Sequence, residues 1–253
     1  MKHLGIINQF RYFILLVWIG LLVSVLGSFG APPIVIDNSD SRIISLEINP
    51  TKQDVQFYWK DAAGNKLKSI QQLKTFVESR GEVLQFAMNG GMYTEDNSPL
   101  GLYIEEYKTL TSLNTKSGNG NFYLKPNGVF YLLKNRKAVV CRTEEFKINP
   151  NIRYATQSGP MLVIDGKIHP EFKLGSSHVN IRNGVGILPN GNILFAISKE
   201  EINLYDFAQY FKQAGCNNAL YLDGFVSRMY CPEKKQYSLD GNFGVMIGVG
   251  IRK

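Results

Sequence analysis

Four short clusters place glycines beside side chains that can hold or transform a polar ligand. They are Met88-Asn89-Gly90-Gly91-Met92-Tyr93, Tyr154-Ala155-Thr156-Gln157-Ser158-Gly159-Pro160, Asn180-Ile181-Arg182-Asn183-Gly184-Val185-Gly186 and Tyr221-Leu222-Asp223-Gly224-Phe225-Val226-Ser227. A fifth, Asn119-Gly120-Asn121-Phe122, is shorter. Glycine lets a ligand approach the backbone closely, and the ends of strands commonly present site residues. Any one cluster would pass as an ordinary turn. Four together, carrying Asn89, Gln157, Arg182 and Asp223, point to a site with one guanidinium and one carboxylate. A guanidinium fork can bind two oxygens of an anion, and a carboxylate can act on water or on an electrophilic carbon.

Several other chemistries are missing. Beyond the first thirty residues only His169 and His178 remain, and there is no His-Glu-x-x-His pair for zinc. Cys141, Cys216 and Cys231 are too widely spread for a zinc cluster. No phosphate-binding loop and no nucleophile elbow occurs; Gly118-Asn119-Gly120 starts like a dinucleotide fingerprint but lacks its third glycine. No calcium loop is recognisable, so neither a metal nor a cofactor is called for. Ser158 has no histidine near it in sequence to activate it as a nucleophile.

The elements that must carry these clusters are mostly short strands. Residues 42–48, 54–59, 83–88, 100–104, 122–124 and 245–251 read as strands. Pro126-Asn127-Gly128, Asp165-Gly166 and Pro189-Asn190-Gly191 read as hairpin turns, where Asn-Gly and Asp-Gly supply positive φ. Helical spacing of apolar residues predicts helices over 70–80, stopped by Gly81, and over 204–214, with Asn203 as N-cap and Gly215 as the stop. The expected fold is α+β: one domain over 31–253, with a mixed, mainly antiparallel central sheet and flanking helices.

Residues 1–30 read as a leader. Lys2, His3 and Arg11 precede an uncharged stretch from Tyr12 to Ala31, and small residues with Pro32-Pro33 follow. That order is a secretory signal, and its length also allows a retained membrane anchor over 12–31. Either way the rest is expected to be exported, periplasmic or secreted. The whole chain has 28 Lys+Arg against 21 Asp+Glu, a net charge of +7 over 253 residues. Residues 1–30 hold two of those cations and no acid, which leaves +5. With no run of Lys or Arg longer than two, the surface reads as solvated rather than nucleic-acid-binding.

The clusters, taken in order, resemble the phosphodiester glycosidase domain family, the family of the lysosomal uncovering enzyme. The likeness is strongest to a small bacterial exported branch and rests on five motifs: Asn89 to Tyr93, Asn121 to Gly128, Tyr154 to Pro160, Ile181 to Gly186 and Asn218 to Gly224. It spans roughly residues 42 to 251. The resemblance implies cleavage of a sugar-1-phosphodiester at the anomeric C–O bond, releasing free sugar and a phosphomonoester. The substrate would be a small or polymeric glycosyl phosphodiester. Phe225 departs from the branch, and a bulky ring there would narrow or fill a subsite.

A phosphomonoester, with a second pKa of about 6, leaves readily as a dianion. Strong general-acid help therefore matters less than holding the phosphate. On that basis Asp223 and Arg182 are the expected catalytic pair, Asp223 acting on water or on the anomeric centre and Arg182 on phosphate. Asn89, Gly91, Gln157, Ser158, Asn183, Gly224 and Ser227 are the expected substrate contacts. Two rival readings stay open: a non-catalytic glycan-binding module using aromatic strands such as Phe57-Tyr58-Trp59, and a hydrolase of another envelope phosphodiester. Finally, Cys216 and Cys231 bracket Asp223, and export permits a disulfide between them worth roughly 3 kcal/mol.

Overall fold

The structure, a computed structural model, describes residues 40–223 and 226–252. The leader or anchor over 1–30, Gly224 and Phe225 lie outside the described residues. Three antiparallel sheets make up the fold. The first runs β1 (Ile43–Ile48), β12 (Ile193–Ser198), β11 (Asn183–Ile187), β13 (Ala219–Asp223), β9 (Met161–Ile164) and β10 (Lys167–Ile168). The second runs β15 (Gln236–Tyr237), β14 (Met229–Cys231), β3 (Glu82–Gly91), β16 (Val245–Arg252) and β2 (Val55–Tyr58). The third runs β5 (Lys108–Thr111), β4 (Tyr103–Glu105), β8 (Ile152–Ser158), β6 (Gly128–Leu133) and β7 (Ala138–Arg142).

Two helices accompany them among the described residues, α1 (Ile70–Ser79) and α2 (Leu204–Gln213). Both form where the apolar spacing places them. Ser69 Oγ accepts from the Gln72 N–H at α1, and Asn203 Oδ1 accepts from the Asp206 N–H at α2. Gly81 (φ 76°) and Gly215 (φ 85°) stop them in the left-handed region.

The α+β expectation is thereby corrected: the protein is β-rich, built on three sheets rather than one central sheet flanked by helices. From Glu82 to Ser198 the chain runs through strands, hairpins and single 3-10 turns, and no connection there carries an α-helix. Two hairpin turns form as read. Asp165 (φ 49°) and Gly166 (φ 74°) are both left-handed, and Gly191 (φ 84°) closes the turn between β11 and β12. The third does not, because Asn121–Tyr123 is a 3-10 turn rather than a strand, and Asn127 uses its Nδ2 to hold the Phe122 carbonyl.

One aromatic cluster joins all three sheets. Phe195 of the first lies 4.9 Å from Phe86 of the second and 6.0 Å from Phe130 of the third, ring centre to ring centre. Phe57 of the second sheet packs on Phe130 and Tyr154 of the third. Such rings bury large apolar areas and prefer these tilted and edge contacts. Phe57, Tyr58 and Trp59 are all buried here, so the triplet is core and offers no face to a glycan.

The Cys216–Cys231 bridge is also corrected: Cys141, Cys216 and Cys231 are all free thiols. Cys216 packs with Phe207 and Phe211 under α2, whereas Cys231 ends β14 in the three-sheet core. The two therefore sit in different apolar clusters and cannot meet without repacking. Burial pushes the Cys216 thiol up to about 12 and the Cys141 thiol up to about 11. Labelling must therefore be done unfolded, where the thiolate is accessible. Alkylation in denaturant without reductant, read by mass spectrometry, is expected to modify all three cysteines. A single modified cysteine would restore the bridge.

Candidate functional site

The site forms where the three sheets meet. Asp223 ends β13 and is the cross-strand partner of Asn183, which begins β11. The Asp223 N–H donates to Asn183 Oδ1 at 2.8 Å. Asn183 Nδ2 donates to the Asn89 carbonyl at 2.9 Å and to Asn89 Oδ1 at 3.0 Å. Asn89 Nδ2 donates in turn to the Asp223 carboxylate at 3.3 Å. The Arg228 N–H also donates to Asn89 Oδ1, at 2.9 Å. A backbone N–H can only donate, so these two N–H groups fix which way each amide points. Both asparagines are fully buried. Asn89, from the second sheet, holds the carboxylate, and Asn183, from the first, holds the Asp223 N–H and orients Asn89.

Two hydroxyls secure the end of the same strand. Ser158 Oγ, at the end of β8, donates to the Leu222 carbonyl at 2.6 Å. Ser227 Oγ donates to the Asp223 carbonyl at 2.6 Å. Ser158 and Ser227 are buried, so both act on the backbone that carries Asp223. Gly91 permits the close approach of β3 to β8: a Cβ there would lie 2.5 Å from Thr156 Oγ1. Asp223 itself is 8% exposed and opens into a cavity of about 420 Å³ lined by Met92, Tyr93, Asn121, Phe122, Tyr123 and Val226 among others. Burial, with the Asp223 charge adding to it, pushes the Tyr93 hydroxyl up to about 12, so it stays a neutral donor.

Arg182 occupies the wall of a neighbouring cavity of about 560 Å³. It is 2% exposed. Its Nε donates to the Ile202 carbonyl at 2.6 Å, Nη1 to the Tyr221 hydroxyl at 2.9 Å and Nη2 to the His178 carbonyl at 2.9 Å. All three acceptors are neutral, and no carboxylate lies within ion-pair distance among the described residues. A buried charge without a counter-charge is costly and is usually retained for an anion that arrives with a ligand. A guanidinium has five N–H groups, so two remain for that ligand.

Tyr221 stands between the two charges. It lies two residues before Asp223 on β13, across a register shift in the pairing with β11, and it meets Arg182 through its hydroxyl and its ring. Burial pushes its hydroxyl up to about 12, opposed by the Arg182 charge and aided by that of Asp223. Tyr221 was not among the expected site residues.

The structure thus brings Asn89, Asn183, Ser158, Ser227 and Asp223 into one hydrogen-bonded group and sets Arg182 in the adjoining cavity. Gln157 does a different job. Its Oε1 accepts from the Leu102 and Asn114 N–H groups, and its Nε2 donates to the Asn114 carbonyl and Thr143 Oγ1. Those bonds pin the chain around Asn114 to β8 and leave the side chain no polar atom for substrate. His169 is buried, stacked 4.7 Å from Phe172, and accepts from the Glu171 N–H. Burial lowers its pKa. No group of three or more His, Cys, Asp or Glu is arranged to hold a metal among the described residues.

Known proteins resemble this chain to different depths. The family model described as phosphodiester glycosidase matches residues 82–249. The uncharacterized protein YigE of Escherichia coli K12 is 38% identical over 215 residues, covering 85% of this chain and 84% of its own. Among solved structures, the catalytic domain of zebrafish N-acetylglucosamine-1-phosphodiester alpha-N-acetylglucosaminidase, auto-inhibited by its pro-peptide, has a TM-score of 0.55 at 16% identity, covering 83% of this chain and 82% of that one. A candidate exported protein of Burkholderia pseudomallei K96243 has a TM-score of 0.55 at 11% identity, covering 82% of this chain and 73% of that one. At these identities the two structures speak for the fold alone.

Proposed function

Because this chain belongs to the phosphodiester glycosidase family, we propose that it hydrolyses a sugar-1-phosphodiester at the anomeric C–O bond. The products are free sugar and a phosphomonoester. The observation that supports this most is the pairing of a tightly held carboxylate in one cavity with a buried, acid-free guanidinium in the next. The sugar lies in the Asp223 cavity, where Tyr93 and Tyr123 offer rings for its apolar face. The phosphate reaches the two unused N–H groups of Arg182.

In that pose the anomeric carbon carries the growing positive charge and the phosphate oxygens carry the growing negative charge. Asp223 acts at the first, on the attacking water or on the carbon itself, and Arg182 at the second. Asn89 and Asn183 keep Asp223 aimed. Export is part of the reading and rests on the leader pattern of residues 1–30; among the described residues no helix is long and apolar enough to cross a membrane.

The reading is tested with the full chain and methyl phosphodiesters of glucose, galactose, mannose and N-acetylglucosamine, each beside its nitrophenyl glycoside. Turnover of at least one diester, with sugar and methyl phosphate as products, is expected. Methanol and sugar-1-phosphate would mean the other phosphoester bond is cut. Sugar binding without turnover of any member would establish a binding module instead.

A further inference from the structure

The two cavities have one residue in common, Asn121. Its position follows from the chain around it. Gly120, at φ 90°, turns the backbone into the 3-10 turn Asn121–Tyr123. Phe122 is buried and packs so close to Gly101 that a Cβ there would lie 2.8 Å from its ring. Asn127 Nδ2 donates to the Phe122 carbonyl at 2.8 Å, and Leu124 N–H donates to the Asn121 carbonyl at 3.2 Å. The backbone is therefore pinned on both sides of an exposed Asn121, whose amide makes no hydrogen bond among the described residues.

Given the reading above, on which this step rests, the geometry points to Asn121 as a further catalytic residue that donates to the oxygen linking sugar and phosphate. A sugar-1-phosphodiester has its sugar on Asp223 and its phosphate on Arg182. The single oxygen between them must then cross the wall that the two cavities share, and that wall is Asn121. In the reaction the C1–O bond breaks, its electron pair leaves with that oxygen, and water supplies the new oxygen on C1. One proton of the water stays on the sugar and the other goes through Asp223 to solvent, while the phosphate departs as the monoester. Asn121 Nδ2 transfers no proton. Its N–H meets the negative charge that grows on the linking oxygen, as a preorganised donor does at an oxyanion.

The test uses the full chain, the best methyl phosphodiester of the panel and the matching nitrophenyl glycoside. Asn121→Ala, at an exposed position, is expected to lower kcat on the diester about 10²-fold, with KM changed less than threefold. Asn121→Asp is expected to lose at least as much, because a carboxylate repels the charge that Asn121 stabilises. On the nitrophenyl glycoside, whose linking oxygen also takes the electron pair, the Ala variant is expected to lose kcat as well. A kcat within twofold of the parent on the diester overturns the assignment, and so does a loss on the diester that leaves the nitrophenyl glycoside untouched, which would make Asn121 a phosphate contact. If Asn121→Ala stays active while Asp223→Asn is inactive, only this assignment falls. An inactive parent removes the hydrolase reading and the assignment with it.

Discussion

Asp223→Asn is expected to lower kcat on a sugar-1-phosphodiester by about 10³-fold or more while the protein keeps its fold. The substitution is isosteric and removes the charge. Two bonds that position the residue survive it: the backbone N–H still reaches Asn183 Oδ1, and an amide oxygen can still accept from Asn89 Nδ2. Ser227 and Ser158 act on backbone carbonyls and are untouched. What disappears is the anion that takes a proton from water or faces the charge on the anomeric carbon, and such a group contributes roughly 10²–10⁴-fold. Initial rates and a thermal melt check both halves. A variant that turns over at the parental rate removes Asp223 from the chemistry. A variant that is inactive because it has unfolded is recognised by the melt, and Asn183→Ala then serves as the second probe. It leaves the carboxylate in place but removes the acceptor of the Asp223 N–H and a donor that orients Asn89, so it is expected to lower kcat about tenfold with KM little changed.

Arg182→Lys is expected to lower kcat/KM on the diester by about 10²-fold and to leave the nitrophenyl glycoside within a few-fold. Lysine keeps the charge but has no planar fork, so it cannot satisfy Ile202, Tyr221 and His178 while presenting two donors to phosphate. Arg182→Leu goes further. It leaves the buried Ile202 carbonyl and Tyr221 hydroxyl without their donor, at about 1–3 kcal/mol each, and the part-buried His178 carbonyl at less, offset in part by removing a buried charge that has no counter-charge. A fall of several degrees in Tm is expected for it, and rate alone would not separate the causes. The Lys variant does separate them: normal stability with parental kcat/KM on the diester would show that the guanidinium serves only its protein partners.

Much of this protein was legible because it is local. Each helix is written in apolar spacing with a capping residue before it and a left-handed glycine after it, and both occur where read. The hairpins at Asp165-Gly166 and Pro189-Asn190-Gly191 are likewise decided by residues within the turn. The Pro126-Asn127-Gly128 turn failed because Asn127 binds five residues back instead of serving a strand pair. The fold class failed for a related reason. A count of strands does not say how many sheets they form, and here Phe57, Phe86, Phe130, Tyr154 and Phe195 decide it by packing three sheets on one aromatic core.

The sequence by itself determined which groups are available: one carboxylate and one guanidinium among glycine-marked strand ends, no metal-binding cluster of the common kinds, and the order of motifs that marks the family. Only the tertiary structure decided what those groups do. Asn89 lies 134 residues from Asp223, and Asn183 lies 94 from Asn89. Their side chains became supports for a carboxylate because three sheets converge there. Gln157 sits in an equally suggestive motif, yet it spends its whole amide on backbone groups. The physical reason is that a polar side chain inside a protein takes the partners that lie within about 3 Å of it. Chain neighbours fix turns and helices, whereas the partners of a buried amide come from wherever the sheets bring them.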